Sequence, residues 1–178
     1  MIILDNRNVI LIPKCLVSPN YQAKWNGKKA EWQELYLNYL KRKDIKIVTM
    51  PCPEATFDSC YTGLGRNPHS YYFYKKLDGF NEHCNRCGYI TIRTIERLIA
   101  ADYTICAIVG IKNSPTCAAG HLFVGGREGT KLINGIFLNT LTVMATKYDI
   151  PIVEIDKRFI ANSIKQLDIA LLSLKDKE

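Results

Sequence analysis

Thr104-Ile105-Cys106-Ala107-Ile108-Val109-Gly110-Ile111 carries no charge and breaks at Lys112-Asn113-Ser114-Pro115-Thr116-Cys117. A short continuous apolar run closed by turn formers suits a strand buried on both faces, as strands of a parallel sheet are. Two similar runs precede it. Val9-Ile10-Leu11-Ile12-Pro13 stops at Lys14-Cys15, and Ile45 to Met50 stops at Pro51-Cys52-Pro53-Glu54, where two prolines end any central strand. A fourth run spans Ile150 to Ile155.

Helical spacing fills the intervals. Trp32, Leu35, Tyr36, Tyr39 and Leu40 form one face across 30–43, and Ile92, Ile95, Leu98 and Ile99 form another across 90–102. Ile133, Phe137, Leu141 and Met144 predict a helix over 131–147, and Ile160, Ile164, Leu167, Leu171 and Leu174 predict a closing helix. Residues 16–29 read as a loop. Strands alternating with helices predict an α/β fold: a Rossmann-like three-layer sandwich around a parallel sheet of about four strands. No repeat, low-complexity tract or linker interrupts residues 1–178, so one domain is expected, with an irregular, lid-like insertion at about 55–88.

With 178 residues, 47% of them hydrophobic and 23% charged, the chain can bury a core without a disulfide framework. Met1 to Arg7 lack the order of a signal peptide, and no apolar run is long enough to span a bilayer. A soluble, cytoplasmic protein with no membrane partner is therefore expected. In a reducing compartment seven cysteines point to ligands, catalytic groups or small buried residues rather than disulfides. A net charge of +7 suits an anionic partner such as a nucleotide or RNA, and equally a plain solvated basic surface.

Cys15, Cys52 and Cys117 each follow a predicted strand. Parallel strands end at one edge of the sheet, where ligands of open α/β folds bind, so the three thiols are expected to meet around one crevice. Three thiolates form an open set that favours zinc, copper(I) or an iron–sulfur cluster, and spacing alone does not choose among them. Cys106, inside its strand, reads as a small buried residue.

At these residues the chain resembles the thiouracil desulfurase family of small iron–sulfur proteins. The resemblance rests on Leu11-Ile12-Pro13-Lys14-Cys15-Leu16, Pro51-Cys52-Pro53-Glu54 and Gly110-Ile111-Lys112-Asn113-Ser114-Pro115-Thr116-Cys117, and extends over about residues 7–155. It implies a [4Fe–4S] cluster held by Cys15, Cys52 and Cys117, with zinc as the alternative. It also implies a non-redox reaction in which water replaces the sulfur of a thiolated pyrimidine and sulfide leaves. The substrate would be a small thiolated base, nucleoside or nucleotide. Glu54 is then the candidate acid–base group, and Ser114 the candidate for orienting water or donating to the substrate. Thr116 and Ala118 stand where relatives commonly have serine and glycine, and the insertion after Glu54 replaces a shorter glycine-rich stretch.

Other features stay open. Cys84-Asn85-Arg86-Cys87, with His83 and Cys60 near in sequence, reads as structural or surface thiols at a helix start, as a second zinc site with Cys60, or as a thiol near the cluster. Arg66, Arg86, Tyr71, Tyr72 and Tyr74 either grip a phosphate and a base or pack a lid. His121 reads as a loop histidine, and Gly125, Gly126 and Gly129 lack a dinucleotide-binding order. The competing readings are a non-enzymatic zinc or cluster-binding module that contacts RNA, and a metal-free sulfur carrier.

Overall fold

The computed structural model describes residues 7–18, 21, 30–57, 69–124 and 128–175. Strand β1 (Asn8–Pro13) runs directly into a single turn, α1 (Lys14–Val17), followed by helix α2 (Glu31–Arg42) and strand β2 (Lys46–Met50). The turn α3 (Pro53–Thr56), α4 (Tyr71–Lys76) and the long α5 (Phe80–Ala100) lead to β3 (Thr104–Ile111). A small antiparallel pair follows, β4 (Leu122–Phe123) with β5 (Thr130–Lys131). The short helices α6 (Ile136–Asn139) and α7 (Thr142–Lys147) precede strand β6 (Ile152–Ile155) and helix α8 (Ile160–Lys175).

The main sheet has the order β2-β1-β3-β6, and every pairing in it is parallel. β1 is buried along its whole length and β3 at all but its first residue, as the unbroken apolar runs require. β2 is an edge strand whose Lys46, Ile47 and Thr49 are exposed, and a lysine there discourages pairing with another chain.

Two cores make the three layers. On one face Ile10 and Ile12 of β1 and Val109 of β3 pack with Tyr36, Tyr39 and Leu40 of α2 and with Leu167 and Leu171 of α8. On the other, Leu11 of β1 and Ile108 of β3 pack with Phe80, Cys84 and Ile95 of α5 and with Phe137 and Leu138 of α6. The α/β sandwich with a four-stranded parallel sheet is thus as the apolar pattern predicts. From β1 the chain reaches β2 on one side by way of α2, then crosses to β3 on the other by way of α5, which lies on the opposite face. The order of strands therefore reverses between β1 and β3, the point at whose carboxyl edge open α/β sheets bind their ligands.

Several local expectations change. Residues 16–29 are not all loop, because α1 takes up Lys14 to Val17. Within α2 the buried face turns toward Gln33, which is fully buried, while Leu35 is exposed. The stretch expected to be irregular to about residue 88 is helical from Tyr71 to Lys76 and from Phe80 onward. After Phe80 the inner face of α5 continues through Cys84, Cys87, Gly88 and Thr91, residues too small or too polar to show an apolar period. Gly88 lies against Thr140, and a Cβ there would fall 2.2 Å from the threonine hydroxyl oxygen.

The single helix expected over 131–147 is instead β5, an extended segment and two short helices. The backbone explains this: Gly135 N–H donates to Ala118 C=O (2.9 Å), Ile136 N–H to Pro115 C=O (3.1 Å) and Leu138 N–H to Thr116 C=O (3.0 Å). These groups bind the loop after β3 instead of closing helical turns.

No described helix is long and apolar enough to cross a membrane.

Candidate metal and catalytic site

The carboxyl ends of β2, β1 and β3 stand side by side, and each is followed within a few residues by one of the three cysteines. Cys15 lies in α1 and is half-buried; the Gln33 side-chain amide donates to Cys15 C=O (2.9 Å) and Leu16 C=O (3.2 Å) and so pins this turn to α2. Gln33 Oε1 also accepts from the Ala30 N–H at 3.0 Å, which closes the start of α2. Cys52 is the residue before α3, whose first position is Pro53, where a missing N–H costs nothing. The Thr56 hydroxyl donates to Cys52 C=O at 2.9 Å.

Cys117 ends a loop that folds back on its own strand. Ile111 N–H donates to Cys117 C=O (2.8 Å), Asn113 takes a left-handed φ of 63°, and the Ser114 hydroxyl accepts the Cys117 N–H at 3.1 Å. Two glycines let the backbone pack around this loop. A Cβ on Gly135 would lie 2.5 Å from Thr116 O, and one on Gly110 would lie 2.6 Å from Cys117 O. Gly135→Ala is expected to push the Thr116–Ala118 backbone aside, lowering the thermal midpoint by several degrees, which calorimetry of the variant checks.

The electrostatics tie the groups together. Burial pushes the Cys117 thiol well above the usual cysteine range, and the charges of Cys52, Cys15 and Glu54 push it further up. The Thr116 hydroxyl, 3.5 Å from Cys117 Sγ, works the other way. Such a set of soft donors in mutual repulsion suits a cationic centre that neutralises them.

Glu54, in α3, is 2% exposed. Thr116 Oγ1 donates to its Oε1 at 2.5 Å, and the Tyr74 hydroxyl donates to its Oε2 at 3.0 Å. A buried carboxylate is costly unless it is hydrogen-bonded, and here each oxygen has its own donor.

Among the described residues, no group of three or more His, Cys, Asp or Glu side chains is arranged to hold a metal ion.

Other features singled out in the sequence lie around this centre. Cys84 and Cys87 are buried in α5 rather than displayed at a helix start, and burial pushes the Cys87 thiol up. His83 Nε2 lies 2.8 Å from Thr56 Oγ1 and 3.7 Å from Cys87 Sγ, which links α5 to the turn after Cys52. Cys60, Arg66, Gly125 and Gly126 lie outside the described residues. Arg86 is exposed on α5. Tyr72 donates to Glu128 Oε2 at 2.8 Å, and Glu128 also pairs with Lys131, fastening α4 to the β5 region. His121 is held at its N–H and Nδ1 by the Glu154 carboxylate, at 2.9 and 2.8 Å. Cys106 is fully buried, with its thiol 3.4 Å from Asn8 Oδ1 and pushed up to about 11 chiefly by burial, as a structural residue would be.

A cavity of about 440 Å³ opens between α4, α5 and α6, with Tyr71, Lys75, Asn81, Asn85 and Asn134 in its wall. None of Cys15, Cys52, Cys117, Glu54 and Ser114 lines it; Ile136 in its wall donates its N–H to Pro115 C=O, in the loop that carries Cys117. Gln33, Gly135 and the bonding roles of Thr116 and Tyr74 all escape sequence reasoning. Only Gln33 leaves a trace, as a polar residue beside the expected apolar face.

No protein-family profile matches the chain, and no curated protein matches it. Among solved structures the chain matches a [4Fe–4S]-dependent thiouracil desulfidase, TudS, with a TM-score of 0.50 at 15% identity, over 91% of this chain and 99% of that one. The three-layer α/β architecture is therefore one shared with an iron–sulfur desulfidase, and the match runs over nearly the full length of both chains.

Proposed function

We propose that this chain is an iron–sulfur-dependent desulfurase, which replaces the sulfur of a thiolated pyrimidine by oxygen from water and releases sulfide without net redox change. The observation that carries the reading is a buried carboxylate, Glu54, bonded to the residue beside Cys117 at a strand edge where Cys15 and Cys52 also end. The shared fold with a thiouracil desulfidase supports it.

Cys15, Cys52 and Cys117 would hold the [4Fe–4S] cluster. Their thiolates would be the soft donors that such a cluster takes. When bound, the cluster supplies a soft Lewis acid for the thiocarbonyl sulfur. Glu54 takes the proton of the attacking water at a carboxylate oxygen and returns it toward the departing sulfur. Thr116 holds that carboxylate beside Cys117. Ser114 fixes the Cys117 amide and presents its hydroxyl to orient water or substrate. The polar cavity between α4 and α6 suits the sugar or phosphate of a nucleoside or nucleotide, with Lys75 and the asparagines as partners.

The test is anaerobic preparation followed by iron and acid-labile sulfide analysis, then incubation with 2-thiouracil and 4-thiouridine. A brown, oxygen-sensitive protein that releases sulfide is expected. A colourless protein that cannot be reconstituted overturns the reading. Bound metal with salt-dependent RNA affinity and no sulfide release would favour a binding module.

A further inference from the structure

We propose that Tyr74 is a positioning residue for Glu54, setting together with Thr116 the direction in which the carboxylate faces. The proposal rests on the reading of Glu54 as the proton-handling group, and it brings in a residue from outside the three strand-end motifs.

The two donors reach Glu54 from separate parts of the chain. Thr116 belongs to the loop after β3 and bonds Oε1 at 2.5 Å, while Tyr74 belongs to α4 and bonds Oε2 at 3.0 Å. A carboxylate with a single anchored oxygen can still rotate about that bond. With a donor on each oxygen its plane is fixed.

Tyr74 is itself immobilised. It is fully buried, with its ring stacked on Phe80 at 4.7 Å and set edge-on to Phe73 (5.4 Å) and His69 (5.7 Å). The hydroxyl therefore cannot follow a carboxylate that turns away. A side chain whose own rotamer is locked by packing is what holds a functional group to a narrow geometry. The start of α4 is fixed in turn, since the Ser70 hydroxyl accepts the Phe73 N–H at 3.2 Å. Sequence pattern gives no hint of this role, because Tyr74 sits among Tyr71, Tyr72 and Phe73 as one aromatic of four.

Tyr74→Phe keeps the ring and removes the hydroxyl. Protein labelled with carboxylate-¹³C glutamate is read by infrared spectroscopy without metal, and the Glu54 band is assigned by its loss in Glu54→Gln. The band is expected to shift in Tyr74→Phe and in Thr116→Val, and to return to its wild-type position in Thr116→Ser. In cluster-loaded enzyme, Tyr74→Phe is expected to lower kcat about tenfold with KM unchanged, the effect of losing one hydrogen bond to a charged group. Added to Glu54→Gln, it should cause no further loss. An unmoved Glu54 band, or an equal loss of turnover in both backgrounds, makes Tyr74 a packing residue and overturns the proposal. Wild-type protein that releases no sulfide refutes the desulfurase reading instead, and the infrared comparison still decides whether Tyr74 and Thr116 set the carboxylate.

Discussion

If Cys15, Cys52 and Cys117 hold the cluster as proposed, Cys117→Ala is expected to give a folded, colourless protein with less than about a tenth of the wild-type iron and acid-labile sulfide after anaerobic reconstitution. Cys117 is 5% exposed, and its thiol feels the charges of both Cys52 and Cys15. Removing one buried sulfur leaves only a small cavity, and the fold should survive at a cost of about 1–2 kcal/mol. Cys106→Ala is the matched control. It removes another buried thiol, from the strand that leads to the same loop, and it should keep its iron. Equal loss of iron in both variants would mean that general loosening of the sheet, rather than ligation, explains the result.

Glu54→Gln is expected to reduce sulfide release by about 10²–10⁴-fold, the usual contribution of a positioned acid–base group, while the iron–sulfur chromophore is unchanged. Glutamine preserves the volume and can still accept from Thr116 or Tyr74 through its one carbonyl oxygen. Its amide nitrogen then faces the other hydroxyl donor, and that hydroxyl must reorient. Stability should therefore fall modestly, by about 1 kcal/mol, which a denaturant titration separates from the loss of turnover. Near-normal turnover with full cluster content would remove Glu54 from the mechanism and leave the metal centre as the whole of the site.

The layers of this fold were legible because β1 and β3 are apolar at nearly every position, a pattern that fits burial on both faces of a parallel sheet. The strand-end thiols were legible for the same reason: once the strands are placed, the residues after them share an edge. What stayed hidden depends on contacts between distant segments. The segment 135–138 has a helical apolar period, yet its N–H groups bind the Pro115–Ala118 loop, and tertiary hydrogen bonding overrides the period. The first turns of α5 were missed because Cys84, Cys87, Gly88 and Thr91 make a buried face without large aliphatics. Glu54 was legible from its nearness to Cys52, but its clamp was not, since Thr116 and Tyr74 approach from other elements.

β1 pairs with β2 on one side and β3 on the other, so it is both the first strand of the main sheet in the chain and the strand at the switch in its order. During synthesis β1, α2 and β2 can associate early, bringing Cys15 and Cys52 near each other. The second flank of β1 stays unpaired until β3 has left the ribosome. Through that interval two thiols and an apolar strand edge are open to solvent, while the partner that completes both is still missing. Long-range pairing of this kind is slow and prone to aggregation, so overexpressed chains should be most vulnerable at this half-built stage. Slower translation or lower temperature during expression should therefore raise the yield of soluble protein more than extra iron does.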